Sequence, residues 1–179
     1  MTDSGRYRVM TVCTGNICRS PMAEVVLRER LEAAGLGDRV VVDSTGVSDE
    51  ERGNPIDRRA RAALAARGYP VPARGARQVR PADLQERDLV LAMTASHARA
   101  LRRLAPDDEA ASRVVMFRTF DPAAPAVRDV RDEHLLDVDD PWYGGPQEFE
   151  HCLDEIEAAA DGVVDAVRAA VDERDATRA

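Results

Sequence analysis

The chain has 179 residues, 44% of them hydrophobic, which is enough for one domain with a proper core. The formal net charge is −8 and there is no basic run, which argues against nucleic-acid or anionic-membrane partners. No apolar stretch is long enough to span a bilayer, and Met1 to Arg8 lacks the apolar region of a signal peptide. Three cysteines are too few and too unevenly placed for a disulfide framework, so a reducing cytoplasm is the expected location.

Tyr7 to Val12 reads as a first strand. Met22 to Ala34 reads as a helix, with Ala23, Val26, Leu27, Leu31 and Ala34 on one stripe and Gly35 as its stop. Arg39 to Asp43 is a short second strand ending in Ser44-Thr45-Gly46, and Ser48 to Pro55 is a polar loop. Asp57 starts a helix that faces Ala60, Ala63 and Leu64 inward and ends at Gly68-Tyr69-Pro70. Pro81 to Gln85 is one helical turn. Asp88 to Met93 is the nearly continuous apolar run of a buried parallel strand. Thr94 caps a helix with Ala98, Leu101 and Leu104 or Ala105 inside, stopped by Pro106. Arg113 to Phe117 is the fourth strand.

Arg118 to Pro146 lacks periodicity and is rich in Asp and Pro, as functional or mobile loops often are. A long last helix has Phe149, Leu153, Ile156, Ala160, Val163, Val167 and Ala170 on its inner face. The charged tail after Val171 is expected to fray. Four strands alternating with helices predict an α/β fold: a four-stranded parallel sheet covered on both faces, in one domain over residues 1–179 with its core within 6–171. Ligands in such sheets bind beyond the C-terminal ends of the strands, where Cys13, Ser44 and Thr94 all fall.

The stretch Val12-Cys13-Thr14-Gly15-Asn16-Ile17-Cys18-Arg19-Ser20-Pro21 joins the first strand to the first helix. Strand, glycine-containing loop and helix N-terminus make an anion cradle, because successive N–H groups point inward and the helix dipole adds positive potential. Pro21 suits the first helical position and Ser20 the N-cap. Cys13 opens this loop as a candidate nucleophile, since amides, a helix N-terminus and a guanidinium all favour a thiolate. Arg19, six positions on, is suited to grip two phosphoryl oxygens in bidentate fashion. Cys13 and Cys18 lack the further cysteine or histidine pair of a zinc site, so neither metal nor cofactor is expected.

Cys13 to Glu24 resembles the N-terminal motif of low-molecular-weight protein tyrosine phosphatases. A second motif of that family, Asp-Pro-aromatic, is matched by Asp140-Pro141-Trp142-Tyr143-Gly144. The resemblance spans about Tyr7 to Val167 and implies an α/β/α three-layer, Rossmann-like fold. It also implies hydrolysis of phosphotyrosine through a phosphocysteine on Cys13, with phosphate held by Arg19 and by Thr14, Gly15, Asn16, Ile17, Cys18 and Ser20. Asp140 is the implied general acid, and it directly precedes Pro141 as the family's acid does. Neighbouring Asp137 and Asp139 would hold its proton more tightly by like-charge repulsion. Asn16 and Ser44 are expected to brace the loop, and Ser20 to cap the helix and donate to the Cys13 sulfur. Trp142 forms a cleft wall, with Tyr143 beside it. Cys18 is the implied partner of Cys13 in a reversible disulfide, whereas Cys152 is expected to pack in the core. The implied partners are tyrosine-phosphorylated proteins, such as a bacterial tyrosine kinase or its targets.

The match also has departures. The loop after Gly46 carries Asp49, Glu50 and Glu51 where relatives often carry an aromatic, which predicts an open, acidic side to the cleft that disfavours acidic phosphopeptides. Met93-Thr94 replaces a Met-Asp pair. Protein arginine phosphatases share the fold and loop, but Ile17 and Trp142-Tyr143 favour the tyrosine reading. Arsenate reductases need a further cysteine pair, and nothing between Cys18 and Cys152 supplies it. A non-catalytic phosphoprotein-binding or redox-sensing module has no need of Cys13, Arg19 and Asp140 together. A Cys–His hydrolase would need His97, His134 or His151 beside Cys13.

Overall fold

A computed structural model describes residues 5–178, so the part of the signal-peptide expectation that rests on residues 1–4 lies outside the described residues. Four strands, β1 (Tyr7–Cys13), β2 (Val40–Gly46), β3 (Leu89–Ala92) and β4 (Val114–Met116), form one sheet in the order β2-β1-β3-β4. Every neighbouring pair is parallel. Six α-helices cover it among the described residues: α1 (Arg19–Ala33), α2 (Arg58–Ala66), α3 (Pro81–Glu86), α4 (Ala95–Leu104), α5 (Asp108–Ser112) and α6 (Pro146–Arg178).

Strand alternation divides the core. Val9 faces a layer built with Met22, Leu27, Leu64, Phe149 and Ile156 of α1, α2 and α6. Met10 and Val12 face the opposite layer, with Leu84, Leu101 and Ala110 of α3, α4 and α5. The helix after β1 therefore lies on one face and the helix after the adjacent β3 on the other. A crevice opens where the two connections diverge, beyond the carboxyl ends of β1 and β3. Cys13 ends β1 there, and Thr94 caps α4 there, its side chain accepting from the His97 amide.

Several boundaries differ from the sequence expectation. Helix α1 begins at Arg19 with Cys18 in the cap position and no side-chain cap. Ser20 is not the N-cap because its hydroxyl is used elsewhere: it donates to the Thr45 carbonyl (3.2 Å) and accepts from Asn16 Nδ2 (2.9 Å). Pro21 is tolerated one turn in, where amides have no helical acceptor anyway. Strand β2 continues through Ser44-Thr45-Gly46 instead of turning there, and Gly46 pairs in register with Cys13. Helix α5 was not expected, although Asp107 caps it by accepting from the Ala110 amide (2.7 Å).

The aperiodic stretch contains three short 3₁₀ turns, Phe117–Phe120, Val130–Leu136 and Pro141–Tyr143. Val171, rather than Ala170, takes the last buried position of α6. The expected frayed tail is helical to Arg178, because ion pairs tie it down. Arg39 pairs with Asp172 (2.9 Å) and Asp175 (2.7 Å), and Arg174 pairs with Asp88 (2.6 Å) while lying over the Tyr7 ring. No helix among the described residues is long and apolar enough to cross a membrane.

Candidate active site

Cys13 is buried, with its sulfur 3.0 Å from Ser20 Oγ. The loop that follows turns on Asn16, whose φ of 60° is the one left-handed non-glycine backbone among the described residues. Asn tolerates that region better than most residues, and here its side chain is also pinned. Asn16 Nδ2 donates to Ser20 Oγ and Ser44 Oγ, each at 2.9 Å. Asn16 Oδ1 accepts from the Arg77 amide (3.1 Å) and from Arg74. Ser44 Oγ in turn donates to buried Glu24 (2.6 Å), which pairs with Arg28 (2.8 Å). All donors and acceptors of the Asn16 side chain are thus used at a site that is 1% exposed. Gly46 is required beside this loop, since a β-carbon there would collide with the Thr14 carbonyl oxygen. Among the described residues, no carbonyl accepts from the amides of residues 14–20, which leaves those donors for an anion.

Arg19 is held over the same loop. Nη1 donates to the Val138 carbonyl (3.2 Å), and Nη2 donates to Asp140 Oδ2 (2.9 Å) and to Thr14 Oγ1 (3.5 Å). Its Nε is buried with no partner, a spare donor on a group that is 5% exposed. Asp140 joins it from 121 positions away in the chain.

The three neighbouring aspartates do not share a site. Asp137 accepts from the Ala95 amide at the start of α4 (2.7 Å), and Asp139 faces His151 (3.7 Å). Asp140 alone faces Arg19. Each of the three thus has a partner of its own. Asp140 also accepts from the Trp142 amide (3.2 Å), which caps the 3₁₀ turn at Pro141. Behind Trp142 lies Arg59, which sequence reasoning missed. Its guanidinium sits 5.4 Å from the Trp142 ring and 4.6 Å from the Phe149 ring. It also donates to the Trp142 (3.0 Å) and Gly144 (2.9 Å) carbonyls.

Together these elements enclose a cleft of about 310 Å³. It is lined by Cys13, Thr14, Gly15, Ile17, Cys18, Arg19, Glu50, Glu51, Asp140, Trp142 and Tyr143. Glu51 lies against Gly15, so the acidic side expected from the loop after Gly46 forms part of the wall. Tyr143 is almost fully exposed at the rim. Asn16, Ser20 and Ser44 are buried beneath the floor.

Cys18 and Cys152 are buried thiols, and burial pushes the ionisation of both upward. Of the histidines, His134 bonds the Arg131 carbonyl (3.1 Å) and His151 faces Asp139. His97 reaches the loop but bonds Thr14 Oγ1 (2.9 Å), not Cys13. Burial, helped by the Arg19 charge, lowers the His97 pKa to about 3, so the imidazole is neutral at ordinary pH. Among the described residues, the metal-ligand types that approach one another, Asp139, His151 and Glu155, lie outside the cleft, and Glu155 already pairs with Arg118 (2.9 Å). Besides Arg59, sequence reading missed Arg74, the bracing role of Glu24 at the end of the first motif, and the bond from His97 to Thr14. The place of Glu24 in the motif, two residues after Met22, was a sequence signal for its role.

The family model for low molecular weight phosphotyrosine protein phosphatase matches residues 8–173. A low molecular weight protein-tyrosine-phosphatase of Streptomyces coelicolor is 49% identical over 168 residues, covering 94% of this chain and 98% of the relative. Low molecular weight protein-tyrosine phosphatase A of Mycobacterium tuberculosis is 44% identical over 162 residues, covering 90% and 92%. A crystal structure of a protein tyrosine phosphatase from Entamoeba histolytica, with Hepes in its active site, superposes with a TM-score of 0.80 at 26% identity, covering 92% and 98%. The chain belongs to the low molecular weight phosphotyrosine protein phosphatase family.

Proposed function

We propose that this protein hydrolyses phosphotyrosine in proteins through a phosphocysteine on Cys13. The observation that carries this reading is the convergence of Cys13, Arg19 and Asp140 on one cleft whose loop amides have no carbonyl partner. A phosphoryl dianion settles on those amides and on Arg19, which supplies its spare Nε–H and releases Asp140. Cys13 sulfur attacks phosphorus, the P–O bond to tyrosine breaks, and Asp140 protonates the departing phenolate. Asp140, now a carboxylate, takes a proton from water as that water attacks phosphorus. The S–P bond breaks, inorganic phosphate leaves, and the Ser20 hydroxyl turns its one proton from the Thr45 carbonyl to the returning Cys13 thiolate. Trp142, which lines the same cleft as Cys13, flanks the aromatic ring in this reading, and the shorter phosphoserine is expected to be disfavoured.

The chain acts as one phosphatase domain, without metal or cofactor. A nucleophilic thiol points to a reducing cytoplasm as its place of action. Its partners are tyrosine-phosphorylated proteins, a bacterial tyrosine kinase or its targets among them. The test is phosphate release from a phosphotyrosine and a phosphoarginine peptide side by side, with chelator present and Cys13→Ser as the blank. Chelator-resistant release from phosphotyrosine, abolished in the variant, is the expected result. Preference for phosphoarginine would overturn the substrate assignment, and release that survives Cys13→Ser would overturn the mechanism.

A further inference from the structure

We propose that His97 is a positioning residue of the phosphate loop: its Nε2–H donates to Thr14 Oγ1 and so turns the Thr14 hydroxyl proton into the cleft, toward a phosphoryl oxygen. This rests on the phosphatase reading above and adds a residue to it. Thr14 follows the nucleophile directly, is exposed, and lines the cleft beside Cys13. Its hydroxyl has two lone pairs and one proton. Arg19 Nη2, which can only donate, lies 3.5 Å from Oγ1, and His97 Nε2 lies 2.9 Å from it. With both of them donating, the lone pairs are taken and the proton is left for an acceptor. The acceptor that enters this cleft is the phosphoryl group.

The opposite tautomer fits worse. It would place a proton on Nδ1, which is buried with no partner. An orphaned buried N–H is the rarer and costlier defect, whereas a bare ring nitrogen lone pair against apolar neighbours costs less. It would also draw the Thr14 proton toward His97 and away from the cleft. The imidazole is held rigidly enough to act this way. It is 4% exposed, sits in the first turn of α4, and its own amide donates to the Thr94 cap (3.3 Å). Burial and the Arg19 charge keep a second proton off the ring, so it stays a single, directed donor.

The test is a variant cycle read by the inhibition constant of inorganic phosphate and by kcat and KM on a phosphotyrosine peptide. His97→Leu is expected to weaken phosphate inhibition about tenfold, the effect of one misdirected hydrogen bond to a charged group. His97→Gln, whose amide N–H reaches the same place, stays within about twofold of the parent. His97→Asn, whose shorter amide stops short of Thr14, behaves like His97→Leu and serves if the latter fails to fold. In a Thr14→Val background, His97→Leu adds no more than about twofold. An equal loss from His97→Leu with and without the Thr14 hydroxyl overturns the proposal. So does a lowered melting temperature with phosphate inhibition unchanged. If the parent enzyme is not inhibited by phosphate at all, the cradle itself is refuted, a result separate from indifference of a working cradle to His97.

Discussion

The two halves of the cleft are built differently. The Cys13 side is a short loop fixed from beneath by Asn16, Ser20 and Ser44, each at most 2% exposed, with Asn16 hydrogen-bonded to both serines. The Asp140 side is a 3₁₀ turn at the surface, where Trp142 is 39% and Tyr143 94% exposed and Arg59 supplies much of the support. Charge develops on the phosphoryl group within the loop, so its donors must be in place before reaction and must not reorganise. The acid has to leave Arg19 and meet a leaving group, so a lightly held segment serves it. Rigidity and adaptability are thus divided between two stretches that meet at a single ion pair, Arg19 with Asp140 (2.9 Å).

Breaking the rigid half should cost most. Cys13→Ser should lower kcat by about 10⁴-fold or more while leaving the melting temperature near that of the parent, since nucleophile and hydroxyl differ little in size. Asp140→Asn should lower kcat on phosphotyrosine by about 10²- to 10⁴-fold. The loss should be much smaller on an aryl phosphate whose leaving group needs no proton, and stability should barely change. Asn16→Ala separates the halves most clearly. It strands Ser44 and Arg74 and should cost about 2–4 kcal/mol of stability in denaturant unfolding together with about 10²-fold in kcat.

His97 gives the rigid half a pH signature. The unfolded imidazole protonates near the ordinary 6.5 and the folded one near about 3. Between those values the unfolded state binds more protons, so stability falls as pH drops through that window. The whole effect is on the order of 5 kcal/mol. His97→Gln should therefore lose less melting temperature than the parent between neutral pH and pH 4. The smallest effect concerns the acidic wall. Glu50→Gln with Glu51→Gln should raise kcat/KM for acidic phosphopeptides by about threefold at low salt, with little change at high salt. Faster turnover of acidic than of neutral peptides by the parent enzyme would contradict that part.

Strand and helix placement was largely legible because apolar periodicity is local. Asp88 to Met93 could hardly be other than a buried strand, and Asp57 capped α2 as its residue type suggests. The nucleophile, the clamp and the acid were legible because each sits in a compact motif. What escaped was non-local. Arg59, Arg74 and His97 act on the loop or the turn across gaps of 58 to 85 residues, and nothing in their immediate neighbours marks them. Ser20 was misassigned as a cap because its true partners, Asn16 and the Thr45 carbonyl, converge on it only in the fold. The α6 terminus seemed too charged to hold, yet its charges are what pair with Arg39 and Asp88.

The most direct measurement is rapid-quench mass spectrometry of the protein mixed with a phosphotyrosine peptide at acid-quench times shorter than one turnover. A transient phosphoryl adduct on the fragment containing Cys13, appearing with the first equivalent of tyrosine peptide and decaying as inorganic phosphate is released, is the predicted result. Turnover with no adduct at any time, or an adduct on another residue, would contradict the account.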